Sequence, residues 1–320
     1  MENLSEPVEK IATPLAIPVP SYLRDHHVGN RVVLPAVEAL RIAAHSGPAT
    51  GDTDLRRQER AVFRHPLVID SGAAEIRAVH EQERYADGRR FSRLTTLLSG
   101  RRMSFTRRVE HLSVWFAAAD REAGQGARSG TGLPSEPGRV RRGPFESGED
   151  FGPGIDAPAD ADDPTPIRGT MFRVPAERLY ADLVPFGPAY RNVRGDVFLT
   201  EVGVRATVSG GDFPEAVDRL GSPFPLDAAM HAACAWGQRY RNRVVFPVGF
   251  DRREIIFPTR AGEIYSCRIR PLPDDGSLLR FDVRIFGPDR RPVETIRGLA
   301  MKEIFGGKLV VPAWIGEGIR

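Results

Sequence analysis

One histidine of this chain stands in a setting that suits removal of a proton. His26 precedes a short apolar run that ends at Pro35, and apolar side chains at helical spacing follow from Ala36. Because proline fits the start of a helix, we expect a helix to begin here, with unpaired N–H groups that favour negative charge. An imidazole beside such a helix start could act as a general base next to a carbonyl group. On residue type alone, a surface or capping histidine is the commoner explanation.

A second proline-led helix opens on an acid. Asp227 follows the apolar residues 223–226, and helical spacing continues over residues 228–240. An acid in the first turn of a helix can serve simply as a cap. Apolar neighbours favour the protonated carboxylic acid, which could donate a proton, whereas the helix N-terminus favours the carboxylate. The sequence leaves the balance between these two effects open.

Two further groups could assist this pair. His231 lies four residues after Asp227 and therefore on the same helical face, where it could orient the carboxyl group or simply pack in the core. In residues 186–190, the Gly187–Pro188 turn separates the aromatic side chains of Phe186 and Tyr190, which could line a pocket. Taken alone, a structural turn ahead of a strand explains these residues equally well.

The composition is that of a soluble globular protein. The chain has 320 residues, of which 41% are hydrophobic and 27% charged, enough for one large domain or two ordinary ones. Residues 1–10 are polar and acidic, so we expect no secretory signal there, and no apolar run approaches the length of a membrane span. The two cysteines, Cys234 and Cys267, lack the spacing of metal ligands, so a reduced, cytoplasmic setting is expected.

The positive charge of the chain comes almost entirely from arginine. The net charge is only +3, and no basic stripe with interleaved aromatic residues is present. We therefore expect a solvated surface and no nucleic-acid binding. An arginine-rich face for an acidic carrier protein is the alternative, because complementary charge steers such encounters.

Alternating apolar and polar residues predict an antiparallel sheet in each half of the chain. Residues 46–58 are polar and predict a loop, and residues 176–183 predict a short helix. The predicted strands cover residues 63–69, 74–80, 91–98 and 108–116 in the first half, and 190–198, 202–208, 244–250, 253–257, 264–270, 278–286 and 293–304 in the second.

Each half thus holds one long apolar helix and about five strands, which is the plan of a hotdog unit. We predict an α+β double hotdog, in which each helix is wrapped by a curved antiparallel sheet. The predicted parts are an N-terminal hotdog at residues 1–119, a polar linker at 120–168, a C-terminal hotdog at 169–308 and a tail at 309–320.

Three short motifs resemble those of polyketide synthase dehydratase domains. Their order and separation also fit that family, and the resemblance covers roughly residues 20–120 and 170–305. His26, Asn30 and Pro35 resemble the HxxxGxxxxP motif, Asp227 and His231 match DxxxQ/H, and Phe186, Gly187, Pro188 and Tyr190 resemble YGPxF with both aromatic residues exchanged.

The resemblance implies a dehydratase that removes water from a 3-hydroxyacyl thioester carried on an acyl carrier protein, in polyketide or fatty-acid biosynthesis. His26 would take the α-proton, Asp227 would protonate the leaving hydroxyl group, and His231 would hold the carboxyl group. No metal or redox cofactor is implied, and a homodimer is expected. The residues that would contact substrate are Asn30, Pro35, Phe186, Gly187, Pro188 and Tyr190.

Three departures from the family pattern leave other functions open. Asn30 replaces a glycine, and we expect it to keep a left-handed backbone conformation. Phe186 lacks the hydroxyl group of the usual tyrosine, and Ser222 stands where a histidine is common. A cyclase or isomerase on the same fold is the first alternative, and a non-catalytic acyl-binding hotdog is the second. We expect a free-standing enzyme or a domain excised from a synthase.

Overall fold

Two buried helices organise the fold. The computed structural model describes residues 6–47, 51–99, 106–120, 171–273, 276–304 and 308–317. The predicted linker, apart from Asp120, lies outside the described residues. The helices are α1 (Ala36–His45), α2 (Ala176–Arg178), α3 (Phe224–Arg241) and α4 (Ala313–Gly316). The strands are β1 (Glu9–Pro18), β2 (His27–Val28), β3 (Arg31–Val33), β4 (Thr53–Phe63), β5 (Val68–Ile69), β6 (Glu75–Arg84), β7 (Arg90–Ser99), β8 (Thr106–Ala118), β9 (Phe172–Pro175), β10 (Val193–Thr200), β11 (Gly203–Ser209), β12 (Phe246–Ile255), β13 (Ile264–Leu272), β14 (Leu279–Phe286) and β15 (Pro292–Lys302).

Within the described residues, twelve strands form one continuous antiparallel sheet. Its order is β1-β6-β7-β8-β4-β12-β15-β14-β13-β11-β10-β9, so all strands of one half precede all strands of the other. The halves meet where β4 pairs with β12, with Gln58 opposite Arg253. A small second sheet, β2-β3-β5, lies beside His26. One helix with its strands in each half is the predicted double hotdog, which is confirmed.

Helix α3 is buried on every side and is rich in alanine. Every residue from Phe224 to Arg239 is buried. A helix with apolar residues on all its faces belongs in a protein core, and the polar residues buried here, Asp227, His231, Gln238 and Arg239, each have a polar group nearby. The helix ends at Asn242, whose left-handed backbone (φ 49°) closes the last turn.

Helix α1 is amphipathic and shorter. It begins directly after Pro35, as predicted, and buries Val37, Leu40 and Ala43. Its partly polar face reaches the other half: Arg41 Nε donates to Asp218 Oδ2 at 2.8 Å, and His45 Nε2 lies 2.8 Å from the same oxygen. We call the group Arg41, His45 and Asp218 the inter-half latch.

Two predictions about local structure in the first half are wrong. Residues 46–58 include the start of strand β4 instead of a loop, and residues 63–69 are mostly a connection ending in the two-residue strand β5. The alternation of apolar and polar residues that marks a strand is broken in β4, because its pairing with β8 contains irregularities. Polar side chains of β4 have partners on β12, and we call this junction of the two strands the seam. Gln58 is buried and accepts a hydrogen bond from Arg253 at 3.3 Å.

The second half follows the prediction more closely. Most of residues 244–250 and 253–257 fall in one strand, β12, where two strands were predicted. Short helix α2 runs on into a π-helical turn at Leu179–Leu183, which matches the predicted helix at 176–183. After β15, α4 packs on α3, where Arg239 Nη1 donates to the carbonyl oxygen of Ile315 at 2.5 Å. No helix of the described residues is long and apolar enough to cross a membrane.

Candidate active site

His26 is held with one ring nitrogen occupied and the other available. It follows the 3₁₀ turn Ser21–Asp25, and its Nδ1 lies 2.8 Å from the carbonyl oxygen of Val33. Because a carbonyl oxygen only accepts, Nδ1 must carry the proton, which leaves a lone pair on Nε2. Burial lowers the pKa of His26 from 6.5, although Asp227 and the Val33 carbonyl oppose this. The neutral imidazole is therefore the favoured form near neutral pH.

Asp227 comes from the other half and faces His26. It lies in the first turn of α3. Its Oδ1 is 4.0 Å from His26 Nε2, and the two side chains are 7% and 12% exposed. This distance is too long for a hydrogen bond, so neither atom is committed to the other.

His231 contacts the second carboxylate oxygen, as its spacing predicts. Its Nε2 lies 2.9 Å from Asp227 Oδ2, but the ring N–H is not aligned with that oxygen. Among the described residues neither atom has another hydrogen-bond partner. The hydroxyl group of Tyr180 lies 3.4 Å from the opposite ring nitrogen, Nδ1.

His26, Asp227 and His231 line one largely apolar cavity. The space between its walls, with the part open to solvent included, is about 960 Å³, and it runs between α1 and α3 to the strands β4 and β12. The remaining walls come from both halves and include Val28, Val33, Leu34, Ala36, Ala39, Phe63, Arg64, His65, Pro66, Leu67, His111, Val184, Phe186, Met230, Cys234, Val245, Phe246, Pro247, Val248, Met301 and Ile304. Such a space suits an apolar chain whose reactive end lies beside the three polar groups.

The aromatic turn supports the ring of His26. Phe186 stacks on the imidazole with ring centroids 4.3 Å apart, and it lines the cavity. Tyr190 meets the same ring edge-on at 5.0 Å, but it is fully buried and does not line the cavity. The exchanged aromatic residues thus still pack against the histidine.

Gly187 and Pro188 place that turn against the residue before His26. The N–H of Gly187 donates to the carbonyl oxygen of Asp25 at 2.7 Å, and the N–H of Ala189 donates to the Asp25 carboxylate at 2.8 Å. A Cβ atom at Gly187 would come within 2.5 Å of Asp25 Cγ, so only glycine fits there without a shift. We call these contacts the Asp25 clasp.

Asn30 and Pro35 are not among the cavity-lining residues. Asn30 is exposed in the turn between β2 and β3. The prediction of a left-handed backbone at Asn30 is wrong, because the left-handed residue of this turn is the preceding Gly29, with φ 59°. Glycine adopts that conformation without a steric penalty, which leaves Asn30 in an ordinary one. Pro35 instead ends the turn before α1, where its carbonyl oxygen accepts from the N–H groups of Glu38 and Ala39.

Two contributors to the site were not predicted from the sequence. Asp25 stands directly before His26, and that adjacency is the one signal that could have suggested it. Tyr180 lies 51 residues from His231 on another element, and no local pattern distinguishes it from a core tyrosine. Among the described residues, no group of three or more His, Cys, Asp or Glu side chains is arranged to hold a metal ion.

Comparison with protein families relates both halves to one kind of enzyme domain. A family model described as "Polyketide synthase dehydratase domain" matches residues 9–96, and one described as "Polyketide synthase dehydratase N-terminal domain" matches residues 159–308. Together they span about three quarters of the chain. No curated protein gives a significant match to the sequence.

Solved structures resemble the fold over nearly its whole length. The dehydratase domain of a mycocerosic acid synthase-like polyketide synthase is 18% identical, with a TM-score of 0.62 and 93% of both chains covered. An N-terminal dehydratase from the difficidin assembly line is 13% identical, with a TM-score of 0.60 and coverage of 92% of this chain and 94% of that one. The bifunctional dehydratase-cyclase domain in ambruticin biosynthesis is 18% identical, with a TM-score of 0.57 and coverage of 92% and 91%. At these identities, the likeness supports the fold alone.

Proposed function

Because the chain belongs to the polyketide synthase dehydratase family, we propose that it removes water from a 3-hydroxyacyl thioester, with His26 as base and Asp227 as acid. The observation that carries this proposal is the meeting of the two side chains, one from each half, at 4.0 Å in one apolar cavity.

His26 would begin the reaction by taking the α-proton of the acyl chain on Nε2. The hydrogen bond from Nδ1 to Val33 fixes the ring and stabilises the imidazolium that forms. Phe186, stacked on the ring, limits its rotation. The electron pair of the broken C–H bond moves toward the thioester carbonyl group and then forms the new double bond.

Asp227 would complete the reaction from its protonated form. The bond from carbon to the hydroxyl oxygen breaks, and that oxygen takes the carboxyl proton and leaves as water. The enzyme then holds an imidazolium and a carboxylate, and transfer of the proton from His26 to Asp227 restores the starting state. The opposite charges are about 4 Å apart in a poorly hydrated space, which stabilises them as a pair.

The start of α1 is the proposed site for the thioester carbonyl oxygen. Ala36 opens this helix and lines the cavity. The first N–H groups of a helix have no intrahelical acceptor, so they favour the negative charge that develops on the oxygen. Since Asn30 is exposed and outside the cavity, we place no substrate contact there.

We propose an acyl carrier protein as the source of the thioester. The cavity supports this because it is largely apolar and partly open to solvent, as an acyl chain delivered on a flexible arm requires. The expected homodimer remains a prediction, which light scattering would test.

Paired histidine variants would test the proposed chemistry. His26→Ala should lower kcat/KM for a 3-hydroxyacyl pantetheine thioester by about 10²- to 10⁴-fold, the usual contribution of a positioned general base. His27→Ala is the matched control, because His27 is adjacent in sequence but does not line the cavity. Product would be identified by mass spectrometry as the enoyl thioester. Equal turnover by wild-type protein and His26→Ala would remove His26 from the mechanism.

A cyclase is the second candidate function. One structural neighbour is a dehydratase-cyclase domain, and Phe186 leaves the reactive end without a tyrosine hydroxyl group. A substrate with a distant hydroxyl group would distinguish the two, because cyclisation adds that hydroxyl to the new double bond and gives a ring. Separate spaces around His26 and Asp227 would have favoured the non-catalytic alternative, whereas the two side chains line one cavity.

A further inference from the structure

Tyr180 makes a buried contact with His231, at the ring nitrogen opposite the one that faces Asp227. Its side chain is 4% exposed, and its ring stands edge-on to His231 with centroids 5.8 Å apart. The hydroxyl oxygen accepts a hydrogen bond from the N–H of Val193 at 2.8 Å. The same oxygen is 3.4 Å from His231 Nδ1.

Among the described residues, the acceptor within hydrogen-bond distance of the Tyr180 hydroxyl group is His231 Nδ1. The Val193 N–H already occupies the oxygen as an acceptor, and His231 Nδ1 is the ring nitrogen within hydrogen-bond distance. A hydroxyl group that donates to Nδ1 requires that nitrogen to carry a lone pair. A neutral His231 then carries its proton on Nε2, the atom 2.9 Å from Asp227 Oδ2.

We propose that Tyr180 is a positioning residue that selects the tautomer of His231 and thereby keeps the acidic proton of Asp227 on the oxygen that faces the substrate. The proposal rests on the function proposed above. With Nε2–H directed at Oδ2, that oxygen is an acceptor, and the proton of the carboxylic acid occupies Oδ1, the oxygen nearer to His26. The proposal requires the imidazole to turn so that its Nε2–H bond points at Oδ2, which lies 2.9 Å away.

The other tautomer would misdirect the acid. If Nδ1 carried the proton, Nε2 would accept, and the carboxyl proton of Asp227 would point from Oδ2 toward His231. The acid would then face away from the leaving hydroxyl group, although every heavy atom kept its place. Tyr180 therefore affects the chemical step without touching the substrate.

Tyr180→Phe is the direct test, and Tyr265→Phe is its matched control. Tyr265 is also buried, and its hydroxyl oxygen also accepts a backbone N–H, that of Arg260 at 2.8 Å, but it lies on β13 away from the cavity. We expect Tyr180→Phe to lower kcat about 10-fold with little change in KM, and Tyr265→Phe to leave both unchanged.

Nitrogen-15 spectra of the His231 ring report the tautomer without any need for turnover. In wild-type protein we expect a protonated Nε2 and an unprotonated Nδ1, identified by the signals lost in His231→Gln. In Tyr180→Phe we expect a mixture. A wild-type ring protonated on Nδ1, or an unchanged tautomer in Tyr180→Phe, would overturn the proposal. Absence of dehydration by wild-type protein would instead overturn the proposed function, and the spectra would still decide the tautomer.

A double-variant comparison separates tautomer selection from a structural role. Glutamine at position 231 offers Asp227 an amide donor whose protonation does not depend on Tyr180. Tyr180→Phe should therefore lower kcat in the wild-type background and have no further effect in His231→Gln. The same fold loss in both backgrounds would show that Tyr180 acts through packing alone, and it would overturn the proposal even if the single variant were less stable.

Discussion

The inter-half latch should make a measurable, pH-dependent contribution to stability. Asp218 accepts a hydrogen bond from Arg41 and contacts His45, both on α1, and it also accepts from the backbone N–H of Leu220. Burial raises the pKa of Asp218, but these three partners outweigh it and lower the pKa from 3.8 to about 2. The difference corresponds to about 2 kcal/mol of folding free energy. Because the carboxylate is only 20% exposed, solvent screens these contacts weakly.

Asp218→Asn removes the charge while keeping the shape and the oxygen that accepts from Leu220. We expect it to lower the free energy of unfolding by about 2 kcal/mol at neutral pH. A carboxylate with a lowered folded-state pKa stabilises the protein above its unfolded-state pKa, and this contribution is lost as the pH falls through the folded-state value. The difference between wild type and variant should therefore be constant above about pH 5 and shrink between about pH 4 and pH 2.

Urea unfolding followed by tryptophan fluorescence would measure this difference at several pH values. Asp196→Asn is the control, because its partner Arg173 is 66% exposed and such surface pairs contribute about 1 kcal/mol or less. Equal losses for the two variants would refute the reasoning. A loss at Asp218 that did not diminish in acid would show that packing, and not the ionised carboxylate, is responsible.

Three further outcomes are expected at the candidate site. Because burial lowers the pKa of His26 from 6.5, the acidic limb of the pH profile of kcat/KM should have its midpoint below 6.5, and a midpoint above that value would contradict a neutral buried base. Asp25→Ala removes the hydrogen bond from the N–H of Ala189 and keeps the bond from Gly187 to the backbone carbonyl, so it should lower kcat about 10-fold, the value of one hydrogen bond, as steady-state kinetics would show; wild-type kcat would contradict the role given to the Asp25 clasp. Cys234→Phe places a ring in the cavity wall and should lower kcat/KM for long acyl chains by about 10-fold more than for short ones, whereas equal losses would place the chain elsewhere.

The main elements of the site follow from short-range sequence signals. A proline before an apolar periodic run predicted the starts of both long helices, so His26 and Asp227 could be placed beside them. The i, i+4 spacing likewise predicted the contact of His231 with Asp227. These features depend on residues within one or two turns of each other, which is the range that a sequence pattern reports.

Other features depend on contacts that no local pattern contains. The left-handed turn moved from Asn30 to Gly29 because glycine was available one residue earlier. Strand β4 was missed because its polar residues are matched by partners such as Arg253, about 195 positions away. The Asp25 clasp spans 164 positions, and it can be recognised only once the two halves are packed together.

The pairing of β4 with β12 determines how the protein is expected to unfold. Each half supplies a helix and a set of strands, yet neither closes a sheet of its own there, since Gln58 and Ala61 find their partners on Arg253 and Phe250. Opening one half would expose the edge of the other. A calorimeter should therefore record a single melting peak whose enthalpy equals the van't Hoff value, as for one cooperative unit.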